Sequence, residues 1–197
     1  MRLVCLAAIS ILIFGSLSAG ASNDDYLAEG IQAFEAKNYS AALDRFAPLA
    51  EEGNPVAQYY LGKMHFFGLR VPIDSDLAYS FLRASAESHY PPSYHDLAVC
   101  YFWGTGTERD IQLAMKWMRK SVADAADPRA MEFLASTQIE QRQRFEQEIP
   151  DLGSIESGLA LRKRAAELGI SRRNGIYLSS IITASTFLKI KKRRLSG

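Results

Sequence analysis

Between residues 57 and 68 the chain follows a helical spacing: Ala57, Leu61, Met64, His65 and Gly68 stand at i, i+4, i+7, i+8 and i+11 of one face. Gly68 breaks that helix, and the stretch Leu69 to Ile73, with Pro72 inside it, is unsuited to continuing one. Asp74 then offers a side-chain oxygen to the free N–H groups of a new helix. Asn38 and Asp110 stand 36 residues to either side of Asp74, and Ser154 follows Asp110 after 44. These four capping residues predict helices over Ala41–Glu52, Ser75–Ser88, Ile111–Asp124 and Ile155–Leu168. Each runs to a breaker: Gly53-Asn54-Pro55, His89 to Pro92, Asp127-Pro128 and Gly169.

The pattern is a repeat. Ala57, Leu61, Gly62, His65, Gly68 and Asp74 return 36 positions later as Ser93, Leu97, Ala98, Tyr101, Gly104 and Asp110. Ala78, Phe81, Ser85 and Ala86 return as Ala114, Trp117, Ser121 and Val122. A period in this range marks a solenoid, in which each unit buries its apolar face only by stacking on its neighbours. Small residues at one register (Ala42, Ala78, Ala114) allow close helix approach, while Phe81 and Trp117 fill the space beside them.

The second unit, with Ala57, Leu61, Gly62, His65, Gly68, Val71, Asp74, Ala78, Phe81 and Ala86, resembles the Sel1-like repeat, a relative of the tetratricopeptide repeat. That repeat runs A-x3-L-G-x2-Y-x2-G-x-G-V-x2-D, then A-x2-W-x3-A-A-x2-G. The third unit carries Leu97, Tyr101, Gly104, Gly106, Asp110, Ala114 and Trp117 on the same pattern. Departures are His65 for the tyrosine, His89 for the closing glycine and Ala98 for the glycine after leucine. The first unit (Gly30, Phe34, Asn38, Tyr39, Ala42, Gly53) is closer to a plain tetratricopeptide repeat. The fourth keeps Leu161, Ala165, Ala166, Glu167 and Gly169, with its inter-helix loop lengthened by Pro150 to Gly153. The resemblance implies an all-α fold: a short right-handed solenoid of antiparallel helix pairs. Its expected parts are a first repeat at 22–55, Sel1-like repeats at 56–91 and 92–128, a degenerate repeat at 129–170, and a capping helix with basic tail at 171–197.

The first 21 residues stand apart. Arg2 precedes an uncharged apolar run from Leu3 to Leu17, and Ala19-Gly20-Ala21 forms a small-residue cleavage site. This layout predicts a secretory signal peptide cut after Ala21, and the run is short for a membrane span. The expected location is the periplasm or the exterior, with the endoplasmic reticulum lumen as the secondary expectation. Cys5 leaves with the leader, so Cys100 remains alone and is expected to be buried. The overall charge of +1 hides an asymmetry: Lys189, Lys191, Lys192, Arg193 and Arg194 crowd the end of the chain. Setting these and Arg2 aside leaves 17 basic residues against 22 acidic ones, a formal charge of −5 for the body. An acidic body argues against nucleic acid as the partner, whereas the basic tail suits weak contact with an anionic membrane surface.

No catalytic or metal motif stands out, and no cofactor is expected. His65, His89 and His95 lack metal-ligand spacing. Gly104-Thr105-Gly106-Thr107 lacks the strand and the Gly-Lys of a phosphate loop and reads as a turn. The functional expectation falls on the helical face opposite the repeat core: Tyr59, Lys63 and Phe66, then His95, Val99 and Phe102, with Phe67 and Trp103 on the flank. First helices of such repeats line the concave surface, where grouped exposed aromatics would anchor a partner. The expected function is a non-enzymatic exported scaffold or regulator that binds a protein or peptide. The alternative is a cell-envelope, peptidoglycan-associated binding protein or hydrolase. If the leader reading holds, N-terminal sequencing of native protein will start at Ser22 or within about two residues of it; soluble native protein retaining Met1 would sink it.

Overall fold

The computed structural model describes residues 22–139 and 154–169. The expected leader at 1–21, the loop from Pro150 to Gly153, and the expected capping helix with its basic tail lie outside the described residues. Within them are eight helices and no strand: α1 Asn23–Glu35, α2 Tyr39–Glu51, α3 Pro55–Phe67, α4 Ser75–Glu87, α5 Pro92–Trp103, α6 Ile111–Ala125, α7 Pro128–Ile139 and α8 Ile155–Glu167. Each packs on its neighbours in the chain, in four pairs: α1 with α2, α3 with α4, α5 with α6, α7 with α8. The described residues form an all-α solenoid of repeats.

The caps act as their spacing implies. Asn38 Oδ1 accepts the Ala41 N–H, Asp74 Oδ1 accepts those of Asp76 and Leu77, Asp110 Oδ1 accepts that of Leu113, and Ser154 Oγ accepts that of Ser157. Each meets a backbone donor that the first turn of a helix leaves unpaired. Gly68 and Gly104 close α3 and α5 with φ of +68°, a left-handed conformation that glycine adopts without steric cost.

Inside the stack, Ala42, Ala57, Ala78, Leu97, Ala98, Ala114 and Met118 are fully buried. A side chain at Gly30 would strike the Phe46 ring, and one at Gly62 would meet Leu82 and its backbone nitrogen, so these glycines set how near α1 lies to α2 and α3 to α4. Gly106 is tighter still. A Cβ there would land on the Ser75 carbonyl, which fixes the turn after α5 against the start of α4. Cys100 is buried, and burial drives its thiol pKa up. The hydroxyls of Ser85 and Ser93 are taken by backbone carbonyls, Pro55 at 2.6 Å and Tyr90 at 2.7 Å. Among the described residues, no helix is long and apolar enough to cross a membrane.

His89 stands one repeat after Gly53, and both hold positive φ, +58° and +88°. A residue with a Cβ pays roughly 1–2 kcal/mol in that region. His89→Gly is therefore expected to raise stability by about 1 kcal/mol. Leu97→Ala, in the fully buried core, is expected to lower it by roughly 2–5 kcal/mol. Urea unfolding of both variants beside the parent checks the pair, and a His89→Gly protein no more stable than the parent would contradict the turn assignment.

Candidate functional site

The first helices α3, α5 and α7 begin alike, with a polar cap or a turn followed by proline. Asn54 Oδ1 accepts the N–H groups of Val56 and Ala57 ahead of α3. Asp127 Oδ1 accepts the Arg129 N–H at the start of α7. Pro55, Pro92 and Pro128 open the three helices, where the missing N–H costs nothing and φ is preset. This common start holds the three in register, and their same-side residues meet.

On that side lies a cluster of charges. Asp96 Oδ1 receives His95 Nδ1 at 2.9 Å and Arg129 Nη1 at 3.4 Å. Arg129 also grips Asp127, with Nη2 on Oδ2 at 2.7 Å and Nε on Oδ1 at 3.1 Å. Lys63 Nζ donates to the Tyr59 hydroxyl at 3.4 Å and lies 5.2 Å from the Tyr59 ring centre and 5.7 Å from that of Phe34, within cation–π range. Asp96 Oδ2 is buried and has no hydrogen-bond partner.

These environments displace the titrations. Burial works to raise the Asp96 pKa, but the Arg129 guanidinium, the His95 hydrogen bond and the Lys63 ammonium outweigh it and hold the carboxyl well below its usual range. Asp127 is lowered in the same way, burial being overcome by Arg129. Burial lowers Lys63, against the pull of Asp96. Tyr59 is pushed up, first by burial and then by the Asp96 charge. At neutral pH the arrangement is thus a set of fixed, mutually neutralising charges with phenol and imidazole groups beside them. It can position a polar ligand. Among the described residues no three His, Cys, Asp or Glu side chains are placed to hold a metal ion.

The residues expected to line an open aromatic groove divide. Tyr59, Phe66, His95, Val99 and Phe102 are buried, which corrects the expectation that they stand exposed. The cause is packing on their own side of the helix. Phe102 meets the Phe133 ring of α7 edge-on at 4.9 Å, and Tyr59 meets Tyr90 at 5.5 Å. Phe66 and Phe102 belong to the main apolar core. Lys63 and Trp103 are half-buried, and Phe67 is 37% exposed. Phe67 and Trp103 occupy equivalent repeat positions and each leans edge-on against the phenylalanine before it, at 5.0 and 4.9 Å. Asp96, Asp127 and Arg129 were not among the expected site residues. Asp96 takes the repeat position of Tyr60, and Arg129 lies 33 residues beyond it, so only the fold brings them together.

Asp96→Asn is expected to lower stability at pH 7 by about 2 kcal/mol, since it removes the charge that Arg129 faces. A carboxyl whose folded pKa is depressed contributes in full above its unfolded value, near pH 4, and loses that contribution as pH falls through the folded value. The stability gap between parent and variant should therefore narrow steadily below pH 4. Melts recorded from pH 2 to 7 test this, and a gap independent of pH would refute the ion-pair account.

Residues 55–90 and 91–124 each match the Sel1 repeat. The solved structure of a Sel1 repeat protein from Oxalobacter formigenes is similar over 73% of this chain and 55% of its own, with a TM-score of 0.61 and 26% identity. A protective antigen present in uropathogenic Escherichia coli strains, with an SLR fold, is similar over 77% of this chain and 32% of its own, with a TM-score of 0.62. At 23% identity that second likeness shows the fold alone. The chain spans about half the length of the first and a third of the second.

Proposed function

The chain carries two Sel1 repeats, a fold that commonly serves as a protein-interaction scaffold, and from that premise we propose that it binds a protein or peptide partner on the face of its first helices. It acts there without catalysing a reaction, as a scaffold or regulator exported from the cytoplasm. The observation that carries this reading is the convergence of α3, α5 and α7. Asp96 of α5 and Arg129 of α7 pair at 3.4 Å, and Lys63 of α3 lies within reach of their charges. Phe67 leaves apolar surface open at the end of α3, and the half-buried Trp103 holds the equivalent place at the end of α5. Apolar anchors beside fixed charges are what a specific interface uses, the first for affinity and the second for orientation.

Phe66 and Phe102 serve the stack, and the anchoring role passes to Phe67 and Trp103. Partners should be captured from native extract with the parent protein, identified, and measured again on purified components. Phe67→Ala is expected to weaken binding about tenfold or more while the melting temperature stays close to the parent's, and Trp103→Ala, half-buried against the core, to weaken binding by a similar factor with some loss of stability. Phe66→Ala and Phe102→Ala should instead melt early, by roughly 3–5 kcal/mol of lost stability. Unchanged affinity in both Phe67→Ala and Trp103→Ala would move the interface off this face.

A further inference from the structure

The second helices share a register counted from their caps Asn38, Asp74, Asp110 and Ser154. The fifth residue after each cap is Leu43, Tyr79, Met115 or Leu159, and the twelfth is Ala50, Ala86, Val122 or Ala166. In the earlier helices the next pair covers this register. The Tyr79 hydroxyl meets that of Tyr101 in α5 at 3.0 Å, and Met115 and Val122 join the core that Ala130, Phe133 and Leu134 of α7 share. Ala50 and Ala86 are buried. On α8 the same register is bare: Leu159 is 53% exposed, Ala166 is exposed, and Leu168 just beyond is 46% exposed. The first end of the stack is finished differently, with Asp24, Asp25, Gln32 and Glu35 of α1 exposed.

The exit from α8 points to what covers it. After α2 the Glu52 N–H donates to the Pro48 carbonyl at 3.2 Å and the Gly53 N–H to that of Ala50 at 3.0 Å, with φ of +88° at Gly53. After α4, Ser88 and His89 donate in the same way to Ala84 and Ala86. In both cases the turn delivers the chain to Pro55 or Pro92, where the first helix of the next pair begins. The exit from α8 repeats it: Leu168 donates to Arg164 at 3.2 Å, Gly169 to Ala166 at 3.1 Å, and φ at Gly169 is +89°. The turn thus directs the chain to the side where Leu159 stands uncovered.

Residues beyond Gly169 lie outside the described residues, and their sequence suits that place. Ile176 to Leu188 carry no charge. Tyr177, Ile181, Ala184 and Leu188 stand at i, i+4, i+7 and i+11, the spacing of one helical face, and Ser179, Thr183 and Thr186 fall opposite. An apolar stripe backed by hydroxyls matches a single protein surface better than lipid on every side, and the uncharged run is shorter than the roughly 20 residues of a membrane span. We infer that residues 176–188 dock on α8 of the same chain, with Tyr177, Ile181, Ala184 and Leu188 covering Leu159 and Ala166. This contact closes the end of the stack to other molecules and leaves the face of the first helices to a partner. It stands or falls independently of that partner.

Thiol alkylation of the purified full chain tests this, with Leu159→Cys compared with Leu77→Cys, whose parent residue is 42% exposed. Alkylated peptides are assigned by mass, and buried Cys100 reports whether the stack is intact. Leu159→Cys is expected to react at least about tenfold more slowly than Leu77→Cys, at a rate unchanged over about a hundredfold range of protein concentration. Adding Ile181→Asp with Leu188→Asp should release it to the Leu77→Cys rate while Cys100 stays unreactive. Ile181→Ser decides the matter if the double variant exposes Cys100. Equal rates for Leu159→Cys and Leu77→Cys would overturn the contact. Protection lost on dilution would replace it with a second copy, and protection seen only with anionic vesicles would replace it with a lipid surface. Protection indifferent to the substitutions at Ile181 and Leu188 would assign the cover to another segment and overturn this one.

Discussion

Gly62 lies so near Leu82 that a single added carbon would press on the side chain and backbone of α4, and Gly30 stands in the same relation to Phe46 of α2. One repeat after Gly62 the position is held by Ala98, fully buried. This close approach of first and second helix sets the thickness of each pair. Ala42, Ala78 and Ala114, also fully buried, repeat the condition along the second helices. With small residues at the crossings, larger ones can interdigitate around them, and neighbouring pairs then share one continuous core. Tyr94, Phe102, Phe133 and Met118, drawn from successive helices, belong to one cluster for that reason.

The turn and cap chemistry was readable in advance because it is local. Asn38, Asp74, Asp110 and Ser154 cap helices using groups within three residues of themselves, and Gly68 and Gly104 need only their own φ. Assigning a face of the first helices to solvent by its opposition to the core misplaces it, because the stack buries that face too. That inference holds for a helix covered on one side. In α3, Tyr59, Leu61, Met64 and Phe66 point in different directions and all are buried. A helix apolar around its whole circumference is an interior helix, and in a stack it is touched by its own partner and by the pairs before and after. That signal was present in the sequence, since Tyr59, Tyr60, Leu61, Met64, Phe66 and Phe67 leave only Gln58, Lys63 and His65 for a polar side.

The polar cluster was not readable on the same terms. Asp127-Pro128 marks the end of one unit, and as a breaker it needs no further explanation. In the fold the same aspartate caps α7 and holds Arg129, whose guanidinium then spans to Asp96 in the preceding repeat. Asp96 breaks the repeat pattern, standing where Tyr60 stacks flat on Phe46 at 4.7 Å in the unit before. A charged residue at an otherwise aromatic register was the available clue. Its meaning depended on a cation 33 residues away and was set only by stacking.

Charges enclosed by a stack are tolerated only when paired, and here the pairing itself crosses repeats. Lys63 belongs to α3, Asp96 to α5, and Arg129 to α7, so the spacing among the three charges is fixed by two inter-repeat steps. The cluster consequently exists in this geometry only while three successive pairs are stacked. A partner bound there, as proposed, would engage the assembled array and not the unfolded chain, and by mass action would stabilise the array. Changes at the helix crossings would then act on such binding through the distance between repeats, and binding would act on the crossings in return.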